Sequence, residues 1–267
     1  MARPIIAFLT DFGLRDHYAA SMKGAALAVA PDAALVDITH DIAPHDVRAA
    51  SETLAAAYRD FPAGTVFVAV VDPGVGSPRR AIAAHAGGYW FVAPDNGILS
   101  GVFARTPPER IVELSRVGEF ANADMSRTFE GRDRFAPAAA RLATGVAVER
   151  LGRDVPPDDI ERLILPAPHV AAGDIGGEIV RVDRFGNLIT NIERRVFEAL
   201  RSARPMQVRV GEAVVPLVGT YADVPDGQLC AVFGSTNHLE LAANRGSAAA
   251  RLGLGTGARV VISPARD

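Results

Sequence analysis

The run Val66-Phe67-Val68-Ala69-Val70-Val71, closed by Asp72-Pro73-Gly74-Val75-Gly76, constrains this chain more than any other stretch. Six consecutive apolar residues, most of them β-branched, describe a strand covered on both faces, as in a parallel sheet between helix layers. The Pro-Gly pair then forces a tight turn. A carboxylate at the carboxyl end of such a strand, followed by a glycine turn and by Arg79 and Arg80, sits where open α/β sheets place their chemistry. Asp-Pro-Gly is also ordinary turn composition. The competing reading is an Asp72 that only caps its own turn, with two solvated arginines.

The layout recurs through the first half. A short buried strand over 5–9 runs into Thr10-Asp11-Phe12-Gly13, and residues 16–30 keep a helical period, with Asp16 as N-cap and Pro31 as stop. A second strand, 34–38, ends at Thr39-His40-Asp41, and Asp46 opens a helix to about residue 58. Strands at 82–85 and 90–93 join at Gly87-Gly88, and the second ends at Pro94-Asp95-Asn96-Gly97. Helices over about 98–104 and 135–144 flank a loop carrying Thr128-Phe129-Glu130-Gly131-Arg132-Asp133. This alternation predicts a mainly parallel sheet flanked by helices. After Leu151 the character changes: Pro156, Pro157, Pro166 and Pro168 stiffen the chain and helical periodicity fades. Short strands follow at 178–182, 206–210, 213–217, 229–233, 238–242 and 258–262, with Gly-rich turns, which reads as a small all-β barrel or sandwich. The expected organisation is an N-terminal α/β domain over 1–165 and a C-terminal β-barrel domain over 170–267.

Composition narrows the function classes. A net charge of −3 leaves no basic excess for a broad nucleic-acid surface. Lys23 is the single lysine among mostly arginine cations. Cys230 is the single cysteine, in an apolar setting, so disulfides and thiolate metal clusters fall away. The N-terminus lacks a signal-peptide layout, and no apolar run reaches the ~18 residues of a membrane span. A soluble, cytoplasmic protein is expected.

Several residues could carry chemistry. Asp11 and Asp16 share one strand-to-helix loop, where Asp accepts ribose hydroxyls, binds a metal, or caps. His40, Asp41, Asp72 and Asp95 end strands on what should be one sheet edge, which permits a divalent metal, although no HxH or HExxH spacing is present. A metal-dependent hydrolase using Asp11, His40, Asp72 and Asp95 is one alternative. His45 could stack on a ring or be a surface residue before a helix. Asn187, after Phe185-Gly186, offers a donor and an acceptor suited to a purine edge, or marks a β-bulge with Asn in a left-handed turn. Gly234-Ser235-Thr236-Asn237 is a similar polar turn. Walker, GxGxxG and GxSxG signatures are all missing, which removes P-loop, Rossmann and α/β-hydrolase readings.

Taken in order, IIAFLTDFG, MKG at 22–24, VDITHDI, VVDPGVGSPRR, APDNG, TFEGRDRFAPAAA, FGNLITN and GSTNHLELAAN resemble one family over about residues 3–262. It is the S-adenosylmethionine (SAM) hydroxide adenosyltransferases, adenosine-forming SAM hydrolases related to fluorinase and chlorinase. The resemblance implies an α/β domain, a β-barrel, and a homotrimer binding SAM between one subunit's N-terminal domain and a neighbour's barrel, with no cofactor and no metal. It implies that Asp11 holds the ribose hydroxyls, Asp16 and Asp183 the methionine amino group, and Asn187 and the Ser235 turn adenine. Phe129 and Phe185 would line the pocket, with His45 and Glu240 as further substrate contacts. Asp72 and Arg79 match two members of the Asp-Arg-His triad that handles water in the hydrolase branch; the halogenase branch lacks that Asp. Glu130 stands where the family writes histidine. Beside Asp72 it would bring a second carboxylate to Arg79, a candidate general base that repels halide. Turned outward, it would leave a slow enzyme or a protein that only binds SAM or adenosine.

Overall fold

The computed structural model describes residues 3–116, 125–200 and 206–265. The chain divides into two compact units, Met1–Ile164 and Leu165–Asp267.

The first unit is built on a seven-stranded sheet. Its strands are β1 (Ile5–Thr10), β2 (Ala34–Thr39), β3 (Val66–Val70), β4 (Ala81–Ala86), β5 (Tyr89–Pro94), β6 (Arg110–Glu113) and β7 (Arg153–Asp154), in the order β2-β1-β3-β5-β4-β6-β7. Alternation along the central strands buries both faces. Ile6, Phe8, Val66, Val68 and Val70 pack on one side with α1 (Tyr18–Val29) and α4 (Ala136–Ala143). Ala7, Leu9, Phe67, Ala69 and Val71 pack on the other with α2 (Val47–Ala57) and α3 (Ser100–Arg105).

The sheet is mixed rather than mainly parallel. The β2-β1-β3-β5 half is parallel, whereas β5-β4, β4-β6 and β6-β7 are antiparallel. The hairpin at Gly87-Gly88 is the cause: it returns the chain as β5 immediately beside β4, with no helical crossover to restore direction. A second correction concerns α1. His17, not Asp16, occupies its N-cap position, and no side chain caps it. Asp46 does cap α2, accepting from the Ala49 amide at 2.8 Å.

The second unit is an antiparallel, nearly closed barrel-like sheet. It comprises β8 (His169–Ala171), β9 (Asp174–Val182), β10 (Leu188–Glu193), β11 (Met206–Val210), β12 (Ala213–Pro216), β13 (Leu229–Phe233), β14 (His238–Ala243) and β15 (Arg259–Pro264). The order is β12-β11-β15-β9-β10-β14-β13, with β8 on β9. A bridge from Leu217 to Ala231 ties the two ends of this path together. Inside lie Ile175, Ile179, Leu188, Val208, Leu239 and Ile262. Two short helices, α5 (Arg194–Leu200) and α6 (Ala248–Leu252), interrupt what the sequence presents as all β. Both are too short to register as a helical period. Cys230 is fully buried in this unit.

Candidate functional site

In the first unit, Asp72 follows β3 at the sheet's carboxyl edge, and the tight turn after it brings Arg79 back onto it. The Ser77 amide donates to the Gly74 carbonyl at 3.0 Å, closing that turn. Arg79 grips Asp72 in bidentate fashion: Nε reaches Oδ1 at 2.9 Å and Nη2 donates to Oδ2. The same Nη2 donates to Oε2 of Glu130. Glu130 therefore points inward, onto Arg79, and its other oxygen meets Arg134 Nη1 at 3.3 Å. Two carboxylates and two guanidiniums thus balance in charge. Side-chain exposures of 5 % for Asp72, 10 % for Arg79 and 12 % for Glu130 put the cluster largely out of bulk water. Burial alone would lower the Arg79 pKa, but its bonds to Asp72 and Glu130 outweigh that and raise it, so the cation is locked on. Its guanidinium also lies 5.5 Å from the centroid of the Phe135 ring.

Glu130 is presented by an unusual element. Residues Gly131–Phe135 form a single π-helical turn that leads into α4, the kind of local widening often found at functional sites. Gly131 is buried, and a Cβ there would come within 3.0 Å of Met22 Sδ, so a side chain would push the turn off α1. Beside it, Arg132 pairs with Asp133 at 2.6 and 2.9 Å; these bonds hold the Asp133 carboxyl below the usual range. The Arg132 guanidinium lies 5.0 Å from the Phe129 ring. Phe129 in turn packs edge-on against Phe12 and Tyr18, at centroid distances of 6.1 and 5.2 Å.

Asp11 and His45 are brought together as well. The His45 backbone amide donates to Asp11 Oδ2 at 2.9 Å, and His45 is held at φ 69°, a left-handed conformation that costs a non-glycine residue strain. Asp16 is exposed. The residues of the metal alternative do not converge. His40 bonds Thr10 and Asp37, Asp72 bonds Arg79, and Asp95 bonds Arg80 and the Glu161 amide. Among the described residues no group of three or more His, Cys, Asp or Glu side chains is arranged to hold a metal ion.

In the second unit, a cleft of about 1040 Å³ is lined by Asp183, Phe185, Asn187, Ser235 and Glu240, all five residues that the sequence singles out there. Asp183 and Asn187 close the hairpin between β9 and β10. Asp183 Oδ1 accepts the Phe185 and Asn187 amides at 2.9 and 2.8 Å, and Oδ2 accepts Asn187 Nδ2 at 2.9 Å. The left-handed residue in this turn is Gly186, at φ 81°, not Asn187, so the left-handed-Asn reading is corrected. Phe185 projects outward and is 77 % exposed.

Glu240, on β14, is buried at the cleft floor and accepts from the Tyr221 hydroxyl at 3.0 Å. Burial raises the Glu240 pKa, against the Tyr221 hydrogen bond, with Asp183 adding to the rise. Burial and the Glu240 contact push the Tyr221 phenol up to about 12. A Cβ on Gly234 would overlap the Glu240 carboxylate, so only glycine lets that side chain fold over the turn.

Sequence reasoning missed Tyr221 and Arg181, which also line the cleft, and Arg134 beside Glu130. Tyr221 and Arg181 carry no local signature. Arg134 does, four residues after Glu130 on a helical turn, where opposite charges meet.

Residues 6–152 match the SAM hydroxide adenosyltransferase N-terminal domain and residues 177–261 the C-terminal domain. The chain belongs to the SAM hydroxide adenosyltransferase family. A (R)-S-adenosyl-L-methionine hydrolase of Thermus thermophilus is 41 % identical, covering 96 % of this chain and 97 % of that protein. A fluorinase of Nocardia brasiliensis is 33 % identical over 97 % of each. Among solved structures, an uncharacterized conserved protein from Thermotoga maritima superposes with a TM-score of 0.91 at 38 % identity, covering 97 % of this chain and 99 % of that one. No helix among the described residues is long and apolar enough to cross a membrane.

Proposed function

We propose that this chain hydrolyses S-adenosyl-L-methionine to adenosine and L-methionine. The observation that carries the reading is the buried Asp72–Arg79–Glu130 cluster, in a family whose acceptor is hydroxide. A water oxygen attacks ribose C5′ in line. The new O–C5′ bond forms as the C5′–S bond breaks, its electron pair goes to sulfur, and the water proton passes to a carboxylate. The sulfonium leaves as a neutral thioether, so no acid is needed on that side. The protein's task is to position the water and exclude the bulk. Each carboxylate oxygen keeps a second acceptor site beyond its bond to arginine, so Asp72 and Glu130 can both receive water protons while Arg79 fixes their spacing. Glu130 in the histidine position favours hydrolysis over halide transfer, since a second carboxylate repels a halide ion.

The remaining assignments are part of the same proposal. Asp11 holds the ribose hydroxyls, with His45 beside it, Phe129 lines the reacting end, and Asp16 and Asp183 take the methionine ammonium. Asn187 and the Ser235 turn face adenine, with Phe185 and Glu240 on the same cleft. The domains are 1–165 and 170–267. A homotrimer in which one copy's first unit and another's barrel share the substrate is the proposed assembly, in the cytoplasm and without a cofactor. The R configuration at sulfur, named for the Thermus relative, is carried over as the proposed epimer. Attack at carbon gives the same products from either epimer, so any preference arises from how the S-methyl group is accommodated.

The test is incubation with each SAM epimer, with and without chloride and chelator, following adenosine, methionine and any 5′-halo product by chromatography. Equal amounts of adenosine and methionine, unaffected by either addition, are expected. SAM bound but intact would instead make the chain a binding protein, and a 5′-chloro product a halogenase.

A further inference from the structure

The loop that carries Asp11 is clamped by one buried histidine. The imidazole of His40, 2 % exposed at its side chain, bonds Thr10 Oγ1 through Nδ1 at 2.7 Å and Asp37 Oδ1 through Nε2 at 3.0 Å. Asp37 Oδ2 in turn accepts from Lys23 Nζ, the chain's single lysine, at 2.6 Å. Thr10 Oγ1 also accepts the Phe12 amide at 3.2 Å, and the His40 carbonyl accepts the Gly13 amide at 2.8 Å. Both ends of the Thr10–Gly13 turn therefore hang on His40, while the His45 amide holds the Asp11 carboxylate from outside.

Donor counting fixes how the relay runs. A carboxylate accepts only, so His40 Nε2 carries the proton to Asp37. Nδ1 faces the Thr10 hydroxyl, which can donate to it. Thr10 and His40, the buried members of the series, both have partners, and a satisfied pair of this kind rigidifies what it touches. Burial pushes the Asp37 carboxyl up, but the bonds from Lys23 and His40 outweigh it and hold it below the usual range.

We propose that His40 is a positioning residue for Asp11, orienting through Thr10 the carboxylate that holds the substrate's ribose hydroxyls, with Asp37 and Lys23 fixing its ring. The inference rests on the ribose role proposed for Asp11.

The experiment compares calorimetric binding of adenosine and of 2′,3′-dideoxyadenosine, which lacks the hydroxyls, to the full chain. Wild type is expected to prefer adenosine. Thr10→Val, close in shape but without the hydroxyl, is expected to lose about tenfold of that preference, the scale of one misplaced hydrogen bond to a charged group. Thr10→Ser should retain it, and Asp37→Asn, which disturbs the acceptor for His40, should follow Thr10→Val. Equal weakening of both ligands in Thr10→Val, the mark of general loosening, overturns the inference, as does a preference that survives it intact. A wild type that does not prefer adenosine overturns the ribose role of Asp11, and this inference with it.

Discussion

Arg79 donates from one nitrogen, Nη2, to Glu130, which lies 51 residues further along the chain, while the same nitrogen serves Asp72. The pairing shows how a glutamate can be held at the position where the sequence resemblance leads one to expect histidine. Arg134 supplies the second positive charge that lets two carboxylates share a poorly hydrated site, where an unbalanced charge would be strongly unfavourable.

Asp72→Ala is predicted to lower adenosine release by about 10²–10⁴-fold, the usual span for a lost proton acceptor, while SAM still binds. Single-turnover chromatography and calorimetry on the same preparation separate the two. Parallel loss of binding and turnover would make Asp72 a substrate anchor instead.

Glu130→His is predicted to keep or raise turnover, because an imidazole there restores the family's Asp-Arg-His set. Glu130→Ala should fall by about 10–100-fold, since Arg79 then loses one of its two anchors and the water one acceptor. A steep fall in the histidine variant would show that the carboxylate has a role of its own, tuned to Arg134.

Much of this was legible in the sequence, for identifiable reasons. Two-sided burial of 66–71 follows from an unbroken apolar run, and Asp72 with Arg79 from a strand end and a turn only seven residues across. Strand direction is not encoded in an apolar run, which reports coverage rather than polarity. For β4 and β5 it lay instead in the Gly87-Gly88 link, too short for a parallel crossover, which the alternation of strands and helices overrode. Strand β10 was obscured by the polar Thr190 and Asn191 within it. The orientation of Glu130 depends on where Arg79 and Arg134 arrive in space, which no local pattern encodes. In the second unit Phe185, Asn187 and Ser235 were legible as polar turns at strand ends, and Asp183 and Glu240 through the family resemblance, whereas Tyr221, in a short 3-10 turn outside those stretches, was not.

Gly234→Ala is predicted to displace Glu240 from the Tyr221 hydroxyl, because the added methyl and the carboxylate would occupy the same space. Overpacking of this kind costs about 1–3 kcal/mol, readable as a lowered denaturation midpoint, and adenosine affinity should fall with it. Unchanged affinity at reduced stability would remove Glu240 from the substrate-contacting set.

Glu240 also makes a signed prediction for pH. Burial raises its pKa in the folded state above that of the unfolded chain, so the native state holds this proton where the unfolded state has released it. The associated stabilisation is present below the unfolded carboxyl pKa and is lost as pH rises through the folded value. Glu240→Gln cannot ionise and escapes that loss. Measured by urea denaturation from pH 4 upward, the variant should therefore gain on wild type as pH increases, until Glu240 is ionised in both states and the difference levels off. A difference that stays constant with pH, or shrinks, would mean that the folded chain holds this carboxylate as comfortably as water does, and that the Tyr221 hydrogen bond outweighs burial.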